Sequence, residues 1–221
     1  VKVIDYDRLT LDTDATDYYV SFDNEAVGRL QGEGLVSCIE EAGTQNPQIA
    51  VLNGTPTDNN ATLFKNGYDS VINPKFDSGD WTEVDDQSVP DWDNQQALTI
   101  FEQILQKADN KVDGVLAAND GLANAAISAL KQRKLPQVPV TGQDATLQGI
   151  QNIVAGDQCM TVYKAIKKEA DAAAELAIAL AKGEEPTAET TPIDNGTREV
   201  PSVLLEPVSV NKDNISEYLG E

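Results

Sequence analysis

Charged side chains follow two predicted strands of this chain at the points where the strands end. Asp144 comes just after an apolar strand predicted at 138–141, and Lys164 follows a strand predicted at 159–163. In an open α/β sheet, ligands bind at the carboxyl ends of the strands. A carboxylate accepts hydrogen bonds and an ammonium group donates them, so this pair suits a small ligand rich in hydroxyl groups. The alternative for Asp144 is that it only caps the next helix.

Other predicted strands and loops end in residues of the same kind. Their polar or aromatic tips are Asp7, Arg8, Asp58, Asn60, Trp92 and Asn119. A tryptophan in such a set offers a flat apolar surface to the C–H face of a sugar ring. Taken singly, each residue has a structural interpretation: Asn119 as a helix cap, Trp92 as core, Arg8 as a surface ion pair. Because all of them are predicted at one edge of the sheet, ligand binding is the better interpretation of the set.

The order of elements predicts that edge. Apolar runs indicate strands at 48–53, 82–84, 113–118 and 138–141, with amphipathic helices between them. Such an alternation is typical of a parallel sheet covered by helices on both faces. Right-handed crossovers then place every loop that follows a strand along the same edge.

The two ends of the chain carry further elements. Strands are predicted at 1–6 and 18–22, and an alanine-rich helix extends from Lys164 to about Lys182. Residues 187–197 are polar and are predicted to be irregular. Residues 201–210 are predicted to be extended, and a short helix is expected after Asn211.

Composition excludes several classes of function. The chain has 221 residues, with 16 basic and 37 acidic side chains, a net charge of −21 and no histidine. This charge argues against nucleic acid or an anionic membrane surface as a partner. The absence of histidine excludes Ser-His-Asp and Cys-His catalysis and imidazole metal sites. Cys38 and Cys159 are expected to be small buried apolar residues rather than a disulfide.

Seven short segments are specific as a set, although none is specific alone. They are Tyr6–Arg8, Ser21–Glu25, Gly54–Ala61, Ala118–Asp120, Gly142–Ala145, Met160–Lys164 and Val200–Leu205. With these segments the chain resembles, over nearly its whole length, the xylose-binding proteins. These are the periplasmic sugar-binding components of bacterial ABC importers in the ribose/galactose-binding class.

The resemblance implies an α/β fold of the type I periplasmic binding protein class, with two lobes and parallel doubly wound sheets. It assigns residues 1–23 and 164–200 to the first lobe, and residues 24–163 and 201–221 to the second. It also implies a further βαβαβ portion ahead of residue 1, so the first lobe is expected to be incomplete in this chain. That N-terminal portion is expected as a separate chain or a lost piece, and the chain alone is then expected to bind its ligand weakly or not at all.

The resemblance also implies a function. The family's sugar-contacting positions fall on the tip residues singled out above, Asp7, Arg8, Asp58, Asn60, Trp92, Asn119, Asp144 and Lys164. The expected activity is reversible capture of a monosaccharide, xylose or a related pentose or hexose, by closure of the two lobes. The expected partner is the membrane permease of an ABC importer. The expected location is periplasmic or extracellular, with a membrane anchor in the missing N-terminal segment as a further expectation. No cofactor or metal is expected.

Two other functions remain open at this point. A sugar sensor would present the same closed form to a membrane signalling partner. An enzyme of the glycosidase type would use a carboxylate pair drawn from Asp58, Asp91, Asp93 and Asp144. Against the enzyme, no glutamate lies at a predicted strand tip, and the basic Arg8 and Lys164 suit binding better.

Overall fold

The computed structural model describes residues 1–218, which fall into two compact units. The first unit contains residues 1–24 and 164–207, and the second contains residues 25–163 and the residues from 208 onward. Residues 201–207, which were expected in the second lobe, lie in the first unit because their strand pairs with a strand of that unit. Residues 219–221, also assigned to the second lobe, lie outside the described residues.

Strands and helices alternate along most of the chain. The strands are β1 (Ile4–Tyr6), β2 (Tyr18–Phe22), β3 (Gln48–Asn53), β4 (Thr82–Ser88), β5 (Gly114–Ala117), β6 (Met160–Tyr163), β7 (Thr191–Asp194), β8 (Glu199–Leu205) and β9 (Val208–Asn211). The α-helices are α1 (Asn24–Ala42), α2 (Asn59–Asp77), α3 (Asn94–Lys107), α4 (Asp120–Gln132), α5 (Leu147–Ala155) and α6 (Ile166–Lys182). Short 3-10 helices occur at Pro90–Trp92 and Ile215–Glu217.

The second unit is built on a parallel sheet in the order β4-β3-β5. Side chains of the central strand β3 alternate between the two faces, as the geometry of a strand requires. Ile49 and Val51 pack with α1 and α2, whereas Ala50 and Leu52 pack with α3 and α4. The sheet is therefore covered on both faces, as the sequence pattern predicts.

The first unit has a sheet of its own, in the order β1-β2-β8-β7. The pairs β1–β2 and β2–β8 are parallel, and β7–β8 is antiparallel. Leu176 of α6 is 2% exposed and packs with Val20 and Val203, so α6 covers this sheet. The polar segment predicted to be irregular contains β7, so that prediction is wrong for residues 191–194.

Three sequence predictions change in the structure. The strand predicted at 138–141 is reduced to a single parallel bridge between Val140 and Val115. The extended run predicted at 201–210 is interrupted at Pro207 and forms parts of two strands, β8 and β9, which belong to different units. The helix expected after Asn211 is one 3-10 turn within the described residues.

The two cysteines form a disulfide, so their expected role as free apolar side chains is wrong. Cys38 lies on α1 and Cys159 directly precedes β6, with Cα atoms 6.4 Å apart. Their separation of 121 positions in sequence gave no indication of this proximity. Proteins keep disulfides in oxidising compartments and rarely in the cytosol of mesophiles.

Candidate ligand-binding site

Two candidate residues of the second unit cap the helices that follow β3 and β5. Oδ1 of Asp58 accepts a hydrogen bond from the N–H of Asn60 at 3.0 Å, at the start of α2. Oδ1 of Asn119 accepts one from the N–H of Leu122 at 2.9 Å, at the start of α4. The capping interpretation of Asn119 is therefore confirmed. Each bond uses one oxygen, and each cap fixes a polar side chain at the carboxyl edge of the sheet.

Trp92 is brought against Asp58. Its Nε1 donates a hydrogen bond to Asp58 Oδ2 at 3.2 Å, while its ring meets Phe64 edge to face with centroids 6.4 Å apart. The ring also lies on Gly54, where a Cβ atom would come within 2.7 Å of Cε2 and closer still to other ring carbons. Trp92 is half-buried and packs against the core clusters on both faces of the sheet. It is thus a fixed aromatic surface beside a carboxylate.

Asp58 and Asn60 differ in exposure. Asn60 is 3% exposed, whereas Asp58 is half-buried. Asp58 is therefore the more accessible of the two, and Asn60 belongs to the packed base of the loop.

Asp144 is exposed and does not cap the next helix. The cap of α5 is Thr146, whose Oγ1 accepts a hydrogen bond from the N–H of Gly149 at 3.0 Å. Asp144 has a φ of 94° and Ala145 a φ of 47°, a left-handed conformation that costs residues other than glycine of order 1 kcal/mol each. The N–H of Asp144 donates to the carbonyl of Val162 on β6 at 2.9 Å, which ties this turn to the neighbouring strand.

In the first unit, Asp7 and Arg8 follow β1 and form an ion pair with each other. Asp7 has a φ of 64°, and its carbonyl accepts hydrogen bonds from the hydroxyls of Tyr19 and Ser21, both at 3.1 Å. Burial raises the pKa of Tyr19 to about 12, so its hydroxyl keeps its proton at neutral pH and can donate this hydrogen bond. Two buried side chains of β2 thus support the turn that presents Asp7.

Glu169 is a member of this cluster that the sequence predictions missed. It lies in the first turn of α6, is 5% exposed, and shares a hydrogen bond with Tyr6. Burial and the charge of Asp7 raise its pKa, while Lys164, the hydrogen bond and Arg8 act in the opposite direction. Within the described residues, its Oε1 has no hydrogen-bond partner. The signal was present in the sequence, because Glu169 lies seven residues before the buried Leu176, on the apolar face of the helix.

The structure gives each unit its own set of candidate residues. Asp58, Asn60, Trp92, Asn119 and Asp144 lie in the second unit, and Asp7, Arg8 and Lys164 in the first. Among residues 1–218, no group of three or more Cys, Asp or Glu side chains is arranged to hold a metal ion. No helix in the same range is long and apolar enough to cross a membrane.

Polar caps and an aromatic ring at the carboxyl edge of a parallel sheet are where an open α/β fold binds a small ligand. The periplasmic binding protein domain matches residues 1–185, and the chain belongs to this family. It is 46% identical over 218 residues to the D-xylose-binding periplasmic protein of Escherichia coli (strain K12). It is 44% identical over 218 residues to the protein of the same name from Haemophilus influenzae. The predicted resemblance to xylose-binding proteins is thereby confirmed.

These alignments cover 98% of the chain and 64% of each relative, so the chain spans about two-thirds of their length. Solved structures agree on the fold. An ABC transporter solute-binding protein from Clostridium phytofermentans with bound β-D-glucose has a TM-score of 0.91 at 32% identity, covering 99% of this chain and 71% of that one. A carbohydrate transporter solute-binding protein from Chloroflexus aurantiacus in complex with D-glucose has a TM-score of 0.90 at 33% identity, covering 100% of this chain and 71% of that one. The predicted fold class, type I periplasmic binding protein, is confirmed.

Proposed function

We propose that this chain is part of a protein that binds a monosaccharide reversibly and delivers it to the permease of an ABC importer. The observation that supports this most directly is the contact between Trp92 Nε1 and Asp58 Oδ2 at the carboxyl edge of the sheet. It holds an aromatic ring and a carboxylate side by side, which suits the C–H face and the hydroxyl groups of one sugar. Similarity to D-xylose-binding proteins favours xylose or a related pentose or hexose.

We propose specific roles for the candidate side chains. From the second unit, Asp144 accepts hydrogen bonds from sugar hydroxyls and Asn119 accepts or donates them, and Asp7, Arg8 and Lys164 take part from the first. An epimer would leave one of these groups, buried once the sugar is bound, without its partner, which costs roughly 1–3 kcal/mol. Specificity then comes from hydrogen bonding rather than from chemistry on the sugar. Closure of two lobes, with the two compact units as those lobes, stays a prediction.

Two of the carboxylates that a glycosidase could use already make structural contacts, which favours sugar binding over hydrolysis. Asp58 holds Trp92, and Asp93 caps α3 by accepting the N–H of Gln96 at 2.8 Å. These interactions give the two carboxylates structural tasks. The relatives in question are named as binding proteins, which supports the same conclusion.

We further propose a periplasmic location. The disulfide between Cys38 and Cys159 supports it, because an oxidising compartment preserves such a bond. The relatives named above are periplasmic. A membrane anchor and an additional N-terminal segment stay predictions, which a mass measurement and membrane fractionation of the native protein would check.

Calorimetric titration tests the proposal. The whole protein of which this chain is a part is titrated with xylose, glucose, ribose and arabinose, and its mass is measured in the same sample. We expect saturable binding of at least one sugar. A folded protein that binds none of the four would contradict the proposed ligand class.

Two variants then test the site. Asp144→Ala is expected to weaken binding by about tenfold or more, since a hydrogen bond to a charged group contributes roughly 1.5–3 kcal/mol. Asn119→Ala is expected to have a smaller effect because its bonds are neutral. The matched control is Asp77→Ala, which changes another exposed aspartate at the last residue of α2, near the amino ends of the strands. Equal losses in Asp77→Ala and Asp144→Ala would show that charge alone, not the site, is being measured.

A further inference from the structure

The carboxylate of Asp120 is the centre of a buried hydrogen-bond network behind the Asp144 turn. Asp120 is 1% exposed. Its Oδ2 accepts hydrogen bonds from the N–H of Thr146 at 2.8 Å and from the hydroxyl of the same residue at 3.0 Å. Its Oδ1 accepts them from Gln158 Nε2 and from the Thr161 hydroxyl, both at 2.8 Å. Four donors from segments outside α4 therefore converge on one carboxylate, which has about four sites for accepting them.

The same network reaches the residues on both sides of Asp144. The N–H of Ala145 donates to Thr161 Oγ1 at 3.1 Å, and that hydroxyl in turn donates to Asp120. Thr146 bonds to Asp120 directly. On the other side of the turn, the N–H of Asp120 donates to the carbonyl of Gln143 at 3.0 Å. Residues on both sides of Asp144 are thus tied to Asp120.

Steric contacts close the space around the carboxylate. A Cβ atom on Gly149 would lie 2.5 Å from Asp120 Cγ and 2.9 Å from Oδ1, and one on Gly142 would overlap Oδ1. Glycine at both positions lets the backbone before and after the turn approach the carboxylate directly. The carboxylate is therefore closely packed as well as hydrogen-bonded.

Interaction with the dipole of α4 alone does not explain why the Asp120 carboxylate is buried. An acidic residue in the first turn of a helix interacts favourably with the helix dipole, and an exposed carboxylate suffices for that. Here burial raises the pKa of Asp120, while the bonds from Gln158, Thr146 and Thr161 act in the opposite direction. Burying a carboxylate is unfavourable unless its partners compensate. Two of the three partners, Thr146 and Thr161, also hold the backbone that follows Asp144.

We propose that Asp120 is a positioning residue for sugar binding. It holds the left-handed turn at Asp144 and Ala145 in the conformation that presents the Asp144 carboxylate, and it does not itself touch the ligand. The inference rests on the proposed function, because only there is Asp144 a sugar-binding residue.

The test compares Asp120→Asn with the wild-type protein in two measurements. The first is amide hydrogen exchange at residues 144–146, which needs no sugar. The second is calorimetric titration with the sugar that the wild-type protein binds. The asparagine keeps the shape of the side chain, but its NH2 group faces donors where an oxygen accepted them. We expect faster exchange at 144–146 and an affinity lowered by about tenfold, similar to that of Asp144→Ala.

A double variant separates positioning from general destabilisation. If Asp120 acts through Asp144, adding Asp120→Asn to Asp144→Ala should lower affinity by no more than about twofold further, because the interaction is already lost. The matched control is Asp113→Asn, which removes a carboxylate that accepts the N–H of Gln48 at 2.9 Å, at the start of β3. The control should leave affinity and exchange at 144–146 unchanged.

A second substitution covers the case in which Asp120→Asn does not fold. Thr161→Val keeps the shape of a fully buried side chain and removes the hydroxyl that links Asp120 to Ala145. It should increase exchange at Ala145 in the same direction. Unchanged exchange at 144–146 in the folded variants, or wild-type affinity in Asp120→Asn, would overturn the inference. Failure of the wild-type protein to bind any sugar would instead contradict the proposed function, and the exchange data would still decide whether Asp120 positions the turn.

Discussion

Gly54 offers a direct test of how Trp92 is held. It follows β3 and is not among the residues with a positive φ, so alanine is compatible with its backbone. A Cβ atom there would lie 2.7 Å or less from carbons of the Trp92 ring, whereas carbon atoms in contact are about 3.5–4.0 Å apart. Gly54→Ala must therefore displace the ring, which Asp58 and Phe64 hold from other sides.

The expected magnitude follows from three terms. Overpacking of a well-packed site typically costs about 1–3 kcal/mol. The displaced ring also loses the hydrogen bond to Asp58, a bond to a charged group that is worth roughly 1.5–3 kcal/mol if nothing replaces it. Replacing glycine by alanine without a clash, by contrast, stabilises a protein by about 0.4–1 kcal/mol through the unfolded chain. We expect Gly54→Ala to lower the free energy of unfolding by about 2–5 kcal/mol and to weaken sugar binding.

The same substitution should have the opposite effect once the ring is gone. In a Trp92→Ala background, Gly54→Ala meets no ring and should be neutral or stabilising by up to about 1 kcal/mol. Urea unfolding of the four proteins, followed by far-ultraviolet circular dichroism, measures this change of sign. An equal cost of Gly54→Ala in both backgrounds would refute the reasoning, because the ring would not be the obstacle.

The other predictions concern the disulfide, the buried glutamate and the two tryptophans. Replacing Cys38 and Cys159 by serine should destabilise the protein by about 2–5 kcal/mol, since the disulfide closes a loop of more than 100 residues; thermal unfolding with and without reductant measures this, and an unchanged melting temperature would contradict it. The pKa of Glu169 is raised by burial above its value in the unfolded chain, so the ionised form costs stability at neutral pH and protonation recovers it as the pH falls through that pKa. Glu169→Gln should therefore be at least as stable as the wild-type protein at neutral pH, with a difference that shrinks on acidification; a difference that does not vary with pH in thermal unfolding would argue against this. Trp92→Phe should abolish a sugar-induced change in fluorescence that Trp81→Phe preserves, because Trp81 is buried against Phe76 just before the first residue of β4; the reverse result would place the wrong indole at the site.

Local patterns predicted the parts of the fold that depend on local sequence. The apolar runs of β3 and β5 are buried throughout or nearly so, as strands in the middle of a parallel sheet must be. By contrast, β4 extends to Ser88, beyond the predicted end at residue 84. The prediction stopped too early because Asp85, Asp86 and Gln87 are polar and do not continue an apolar run. These residues are tolerated since β4 lies at one end of its three-stranded sheet, and charged side chains are common on edge strands.

The site shows the same division. Residues after strands, such as Asp58 and Asn119, were identified because a strand followed by a cap is a local pattern. The disulfide and the Asp120 network depend on distances between residues far apart in sequence, and a single sequence read by itself carries no signal for such distances. Thr146 and Gln158 approach Asp120 from 26 and 38 residues away. Threonine and glutamine are common residue types, so nothing in the sequence singles these two out as partners of Asp120.

The strand order of the first unit has a consequence for how the chain acquires its structure. β2 lies between β1 and β8, and β8 is formed by residues 199–205, after nearly all of the second unit has been synthesised. Until those residues arrive, one side of a largely buried strand has no partner, and an unpaired strand edge readily recruits other chains. Contacts between residues so distant in sequence also form slowly. The first unit is therefore the part of the chain for which a chaperone acting during synthesis has the most to protect.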